Sequence, residues 1–432
     1  MHSFFSSPFF NFELTRILGT APFGGCQISE FLEAVGEIKK HDSESWYRAW
    51  IKQAEKAEAF AANSAMNGHH TLAREAYLRA SNYFRAAPYM LRFPDPRILP
   101  CSSRAVQSFK EATGYFEGQV IELEIPYEDG YSLPGYLFLP PQSKRLPNQK
   151  APVLINCGGA DSTKEELYFM NGIAGTELGY AVLLFDGPGQ GITLKKHEIY
   201  MRPDFEIVIA RVLDHLPVLA TQHPNLQLDL ARTAVAGTSL GAYFALRAAT
   251  LHSVAACVAI DPFYSMWDLA MTRMPRWYAQ LWIDGYIPDS VFNWSCYTHM
   301  RVDFPSGWEF SLSMWMMHKA SPADLLREFR RYSLRDQKTG EELLHGVTCP
   351  VLVAGAPHSV YASPEQSTLK IAKLLRNVPE NEKEIWLPQS AGEGSLTGKV
   401  GAWDKLAAKT FEFLDKQLGV ERSSKRVDEV LQ

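Results

Sequence analysis

The sequence predicts an α/β fold, a parallel-rich sheet wound with helices, preceded by a helical segment and interrupted by an aromatic insertion. Three observations predict it. Short apolar runs, "PVLINCGG", "AVLLFDGPGQG", "TAVAGTSLG", "VAACVAIDPF" and "PVLVAGAP", are separated by helical stretches. Buried β-branched runs of about five residues alternating with helices indicate parallel strands joined by right-handed crossovers. Ahead of them, apolar residues repeat at helical spacing. Between the fourth and fifth runs, Phe263 to Lys319 carries six of the ten tryptophans and seven of the twelve methionines.

Taken in order, residues 1–115 read as the helical segment. The opening "MHSFFSSPFFNFELTRIL" lacks a basic start, contains Pro8 and Glu13 and shows no small-residue cleavage site, so it reads as packed structure rather than a signal peptide. In "EKAEAFAANSAMNGHHTLAREAYLRASNYFRAA", Ala73, Ala76, Tyr77, Ala80, Tyr83 and Phe84 recur every three or four residues. Gly68 and Thr71 are expected to punctuate and cap two antiparallel helices. Residues 116–262 hold the first part of the α/β core. Here "VIELEIPYEDGYSLPGYLFLP" has period two and turns at Glu128-Asp129-Gly130, a hairpin. Residues 263–343 read as a lid whose inner face lines an apolar cavity, with Trp267 and Trp282 toward the substrate; a packed helical insertion fits the composition equally well. Residues 344–432 complete the core and end in a C-terminal tail.

Composition narrows the function. The 432 residues are 46 % hydrophobic with a net charge of −5, and no run of Lys and Arg forms a stripe that would track phosphates, so nucleic acid is not an expected partner. No window approaches the ~20 uninterrupted apolar residues needed to span a bilayer. Cys26, Cys101, Cys157, Cys257, Cys296 and Cys349 are scattered without CxxC spacing, the pattern of reduced thiols in a cytoplasmic protein rather than of a zinc site. No metal or cofactor is implied, and a homodimer is left open.

The chemistry-bearing stretch is "AGTSLGAYFALRAA", a strand, then Gly237-Thr238-Ser239-Leu240-Gly241, then a helix. This is the G-x-S-x-G elbow, in which glycines permit a sharp turn that lifts Ser239 above the sheet and the Leu240 N–H points at an oxyanion. The second oxyanion donor is expected from "NCGGADSTKEELYF", where Gly158 and Gly159 let the backbone approach a ligand and Ala160 or Asp161 offers an N–H. A structural reading stands beside this one: a tight glycine turn with Asp161 and Ser162 capping a helix that begins near Lys164.

Together with the helical N-terminal segment, "GGADSTKEE", "FDGPGQG" and "AGTSLG" carry a family resemblance. From Ile28 to about Leu418 the chain resembles the α/β-hydrolases that include dihydroxypseudooxynicotine hydrolase and the fungal yellowish-green-type heptaketide hydrolases. More closely, it is similar to the fungal hydrolases encoded beside polyketide synthase–peptide synthetase hybrids in fusarin, pseurotin and cytochalasan pathways. The resemblance implies an α/β-hydrolase fold and carbon–carbon or acyl chemistry on a small polyketide-derived substrate.

The chain departs from that family where the triad completes itself. After "PVLVAG" the family carries an Asp about three residues past the glycine; this chain has Ala356-Pro357-His358. Where the family reads A-G-E-H-C, this chain reads Ala391-Gly392-Glu393-Gly394-Ser395, and no histidine follows His358. One replacement is a collapsed dyad in which His358, from the acid's slot, contacts Ser239. His299 and His318 in the lid are further candidates. Asp261 occupies a position that some relatives use for the triad acid, or else caps a helix before Pro262. With ordinary triad hydrolysis unsupported, the expected function is a biosynthetic enzyme that forms a ring in a polyketide or polyketide–amino acid intermediate by condensation, cycloaddition or isomerisation. Two alternatives stand: a serine-nucleophile hydrolase cleaving a C–C or ester bond, and a non-catalytic binding or scaffold protein.

Overall fold

In each central strand, successive buried side chains serve two different cores. Leu154, Val182, Ala234, Ala236, Val258 and Leu352 face one cluster, while Val153, Ile155, Leu183, Val235, Cys257 and Val351 face the other. Strands buried on both faces lose polar alternation and read as continuous apolar runs, which is why these segments announced themselves.

The computed structural model describes residues 2–147 and 149–422. Its sheet has eight strands: β1 (Val120–Pro126), β2 (Ser132–Phe138), β3 (Ala151–Cys157), β4 (Ala181–Phe185), β5 (Leu228–Thr238), β6 (Ala256–Ile260), β7 (Val351–Ala354) and β8 (Lys383–Trp386), in the order β1-β2-β4-β3-β5-β6-β7-β8. β1 and β2 form the hairpin, β2 meets β4 antiparallel, and every pair from β4 to β8 is parallel. The switch in direction puts the polar-alternating hairpin at one edge.

The N-terminal segment is an all-helical layer with its own core. Phe10, Leu14, Trp46, Trp50, Tyr83 and Phe84 are buried together, and lid residues Trp308 and Leu312 join them. Helices Ser43–Met66 and His70–Ala86 are separated by Gly68, at φ 72°. The second helix starts at His70 behind His69, so Thr71 lies inside its first turn and is not the cap. Five helices between Met266 and Phe329 separate β6 from β7. A smaller apolar cluster of Trp282, Phe292, Ala323 and Leu326 holds them together. No described helix is long and apolar enough to cross a membrane.

One contact sets the distance between the sheet and the helix Leu240–Leu251. A Cβ on Gly237 would lie 2.0 Å from the Gly241 carbonyl oxygen, and one on Gly241 would lie 2.3 Å from the Cys157 oxygen of β3. Gly241→Ala therefore has to push this helix away from β3. Forced overpacking costs about 1–3 kcal/mol and occasionally more; backbone oxygen cannot step aside as a side chain can, so a loss of about 3 kcal/mol is expected in urea unfolding. An unchanged midpoint would show that the contact is not a constraint.

Candidate active site

Ser239 closes β5 with φ 57° and ψ −118°, a conformation that non-glycine residues seldom adopt. Its own N–H donates to the Ile260 carbonyl at the end of β6 (2.8 Å), and its carbonyl accepts from Ala242 and Tyr243. The turn is thereby stitched to the neighbouring strand and to the helix that follows. Leu240, the first helical residue, has no carbonyl four residues back within that helix, so its N–H remains for a ligand.

The opposite side of this pocket is the loop after β3. Gly159, Ala160, Asp161, Ser239 and Leu240 all line one cavity of about 540 Å³, within the range that takes a small organic molecule. The loop's carbonyls are clamped from behind: the buried Gln190 carboxamide donates to Gly158 O (2.6 Å) and Gly159 O (2.8 Å) and accepts from Gly187 N (3.0 Å). Gln190 lies in the "FDGPGQG" stretch, but its role could not be read there because the two carbonyls it clamps lie more than thirty residues away. The helix cap is Thr163, whose hydroxyl accepts from Glu166 N. The capping expected of Asp161 and Ser162 is thus corrected by one residue, and the Asp161 carboxylate is left to face Arg16 and Tyr89.

Asp261 follows β6 and lines the cavity next to Ser239. It is not a helix cap. Its Oδ1 accepts from Lys399 Nζ (2.7 Å) and its Oδ2 from Gly398 N (2.7 Å), while Lys399 also donates to Gly355 O (2.8 Å). The Lys399 side chain is fully buried. Burial pushes the Asp261 carboxyl up and the Lys399 ammonium down, each against the pull of the other. Gly398 and Lys399 sit in the loop after β8, a few residues beyond Gly394, so a lysine and a backbone N–H from this loop hold the acid that follows β6.

The other site candidates are dispersed. His358 is exposed; its Nδ1 pairs with the Ser395 hydroxyl (2.8 Å) and its backbone N–H donates to Ser395 O (3.0 Å). The structure thus brings His358 to Ser395, while Ser239 faces the cavity. His299 lines the cavity from the lid helix Asp289–Val302, with its side chain largely exposed and its Nε2 3.2 Å from the Ser306 hydroxyl. His318 packs against Tyr200 instead, the rings tilted with centroids 4.2 Å apart. Trp267 and Trp282 pack within the lid, Trp282 against Phe292 and its Nε1 donating to Asp289 (2.9 Å). The indoles on the cavity wall are those of Trp308 and Trp403. A count of tryptophans could not separate inner from outer lid faces. Among the described residues no group of His, Cys, Asp and Glu is arranged to hold a metal ion, and all six cysteines are free.

A strained serine between a β-strand and a helix, at the end of the central strand of a mostly parallel sheet and facing a cavity, defines the α/β-hydrolase class. The comparisons agree. A family model described as "Esterase FrsA-like" matches residues 32–279. The chain is 50 % identical over 424 residues to the alpha/beta hydrolase xenA of Xenoacremonium sinensis, covering 98 % of this chain and 99 % of that one. It is 50 % identical over 428 residues to the alpha/beta hydrolase gkaG of Penicillium citrinum, covering 98 % and 100 %. The crystal structure of the 2,6-dihydroxy-pseudo-oxynicotine hydrolase aligns with a TM-score of 0.66 at 19 % identity over 95 % of this chain and 98 % of that one, which shows the shared fold. The chain belongs to the FrsA-like α/β-hydrolase family, alongside these fungal members.

The Asp261–Lys399 pair yields a test. Removing one partner of a buried ion pair typically costs about 3–5 kcal/mol, whereas replacing both can be neutral. Lys399→Met is expected to lose stability on that scale, and Lys399→Met with Asp261→Asn to recover most of it. The pH dependence follows from the raised Asp261 carboxyl: its contribution is complete below the unfolded carboxylate value near 4 and is lost as pH rises through the folded value. Lys399→Met raises the folded value further, so its deficit in urea unfolding should widen from about pH 4 to about pH 7. A deficit independent of pH would remove the ion pair from the account.

Proposed function

We propose that this protein is a biosynthetic enzyme that promotes ring formation in a polyketide or polyketide–amino acid intermediate, using its α/β-hydrolase pocket without a serine nucleophile. The observation that carries the reading is the state of the acid beside Ser239. Lys399 and the Gly398 N–H hold the Asp261 carboxylate, an arrangement that positions a charge but offers no imidazole to take the Ser239 proton. An unactivated hydroxyl is a poor nucleophile. It remains a good hydrogen-bond donor, and with the Leu240 N–H it stabilises negative charge on a carbonyl or enolate oxygen.

The cavity supplies the rest. Its wall is largely apolar, with Phe263, Met266, Leu269, Trp308, Leu312 and Phe329 contributing. Such a wall folds a long chain back on itself, brings its reacting carbons together and keeps water away from the enolate-like centre. Condensation, cycloaddition and isomerisation all draw on these features. The family relationship supports a small organic substrate.

The decisive comparison is Ser239→Ala on the protein's own intermediate. A single neutral hydrogen bond is worth about 1 kcal/mol, so the loss is expected to be no more than about tenfold. A fluorophosphonate probe is expected not to label Ser239 stoichiometrically. Complete inactivation by Ser239→Ala, together with full labelling of the unsubstituted protein, would overturn the reading in favour of a serine hydrolase. Saturable binding without any product would favour a scaffold.

A further inference from the structure

The polar end of the cavity is built by the N-terminal helices and the loop after β3. Arg16, on helix Pro8–Leu18, lines the cavity with Tyr89 and Asp161. Its Nη1 donates to Asp161 Oδ2 (2.5 Å), and the Tyr89 hydroxyl donates to the same oxygen (2.7 Å). The guanidinium also donates to Glu166, bound through both Nε and Nη2, to Glu13 Oε2 (3.2 Å) and to the Tyr89 hydroxyl (3.4 Å). Arg85 Nη1 holds the other Glu13 oxygen (3.0 Å). Glu13, Glu166 and Arg16 are buried; Asp161 keeps 26 % of its side chain exposed. It is the member of this cluster with free acceptor capacity. Oδ2 is used twice, while Oδ1 receives no donor from another residue among the described residues.

Burial would raise the Asp161 carboxyl, but Arg16 and then the Tyr89 hydroxyl more than offset it and hold it below the usual carboxylate range. At neutral pH it is an acceptor, not a proton source. Arg16 already offsets the Asp161 charge, so a second full positive charge would gain little there for its desolvation in a pocket also lined by Phe12, Met170 and Trp308, whereas a neutral amide avoids that cost. The fitting partner is a neutral N–H.

We propose that Asp161, oriented by Arg16 and Tyr89, is the recognition residue for a neutral amide or lactam N–H on the substrate, placed across the cavity from the Leu240 end of the oxyanion pocket. This rests on the reading above that the substrate joins a polyketide chain to an amino-acid unit, and it names the group by which that unit is held.

The test uses two probes of the same shape: N-octanoyl-L-phenylalanine methyl ester and its twin in which the amide N–H is replaced by an ester oxygen. Both are titrated calorimetrically into full-length protein carrying Ser239→Ala, so that neither is turned over. A hydrogen bond to a charged acceptor is expected to favour the amide probe by about tenfold or more. In Asp161→Asn the Arg16 and Tyr89 donors hold the carboxamide oxygen and turn its NH₂ into the cavity, so the preference should fall below about threefold. Tyr89→Phe, which keeps the Arg16–Asp161 pair, should retain it. Equal affinity for the two probes, no binding of either, or a preference that survives Asp161→Asn would overturn the proposal. The ring-forming reading fails separately: cleavage of a probe ester by the unsubstituted protein would sink that reading and leave the N–H preference standing.

Discussion

The close approach of two glycines decides where everything else in the site lies. Gly237 and Gly241 bracket Ser239 with almost no space for a Cβ at either position. The helix after β5 therefore starts directly against β3, and Ser239 is forced into a positive φ. A strained residue of this kind persists only when its surroundings over-determine it. Here the Ser239 N–H is bonded to β6 and its carbonyl caps the first helical turn. The elbow is thus anchored to three elements at once, and the Leu240 amide inherits a fixed direction.

From that fixed point, the pocket is closed by parts that come from far away in the chain. Arg16 reaches Asp161 and Glu166 across 145 and 150 residues, and Trp308 packs against Tyr89 while bonding its carbonyl. The N-terminal layer, the lid and the sheet therefore meet around one cavity. A buried ionic cluster is an expensive way to join elements, because desolvation can exceed the Coulombic gain. What such a cluster provides is a single arrangement of donors and acceptors, which an apolar contact between the same helices would leave unspecified.

The Asp261–Lys399 pair follows the same logic on the other side of the elbow's strand end. Lysine is longer than histidine and carries three donors, so it can bind Asp261 and the Gly355 carbonyl together. The loop after β8 is thereby tied to the ends of β6 and β7. A cation that acts only as donor keeps the acid in place and has no lone pair to share while protonated.

The sequence by itself determined the sheet and the elbow. Both follow from local pattern: two-sided burial makes β3 to β7 read as apolar runs, period two marks the hairpin, and Gly237-Thr238-Ser239-Leu240-Gly241 carries its geometry in five adjacent residues. Only the tertiary structure decided which side chains meet around them. Lys399 binds an acid 138 residues earlier and His358 turns to Ser395, and neither pairing leaves a trace in composition or spacing. The same holds for Arg16, Tyr89 and Gln190, which enter the site only when distant helices and loops pack. Trp267 and Trp282 were counted with the lid, but which face of a helix meets a cavity depends on what the other face packs against, and an aromatic-rich helix has apolar residues on both.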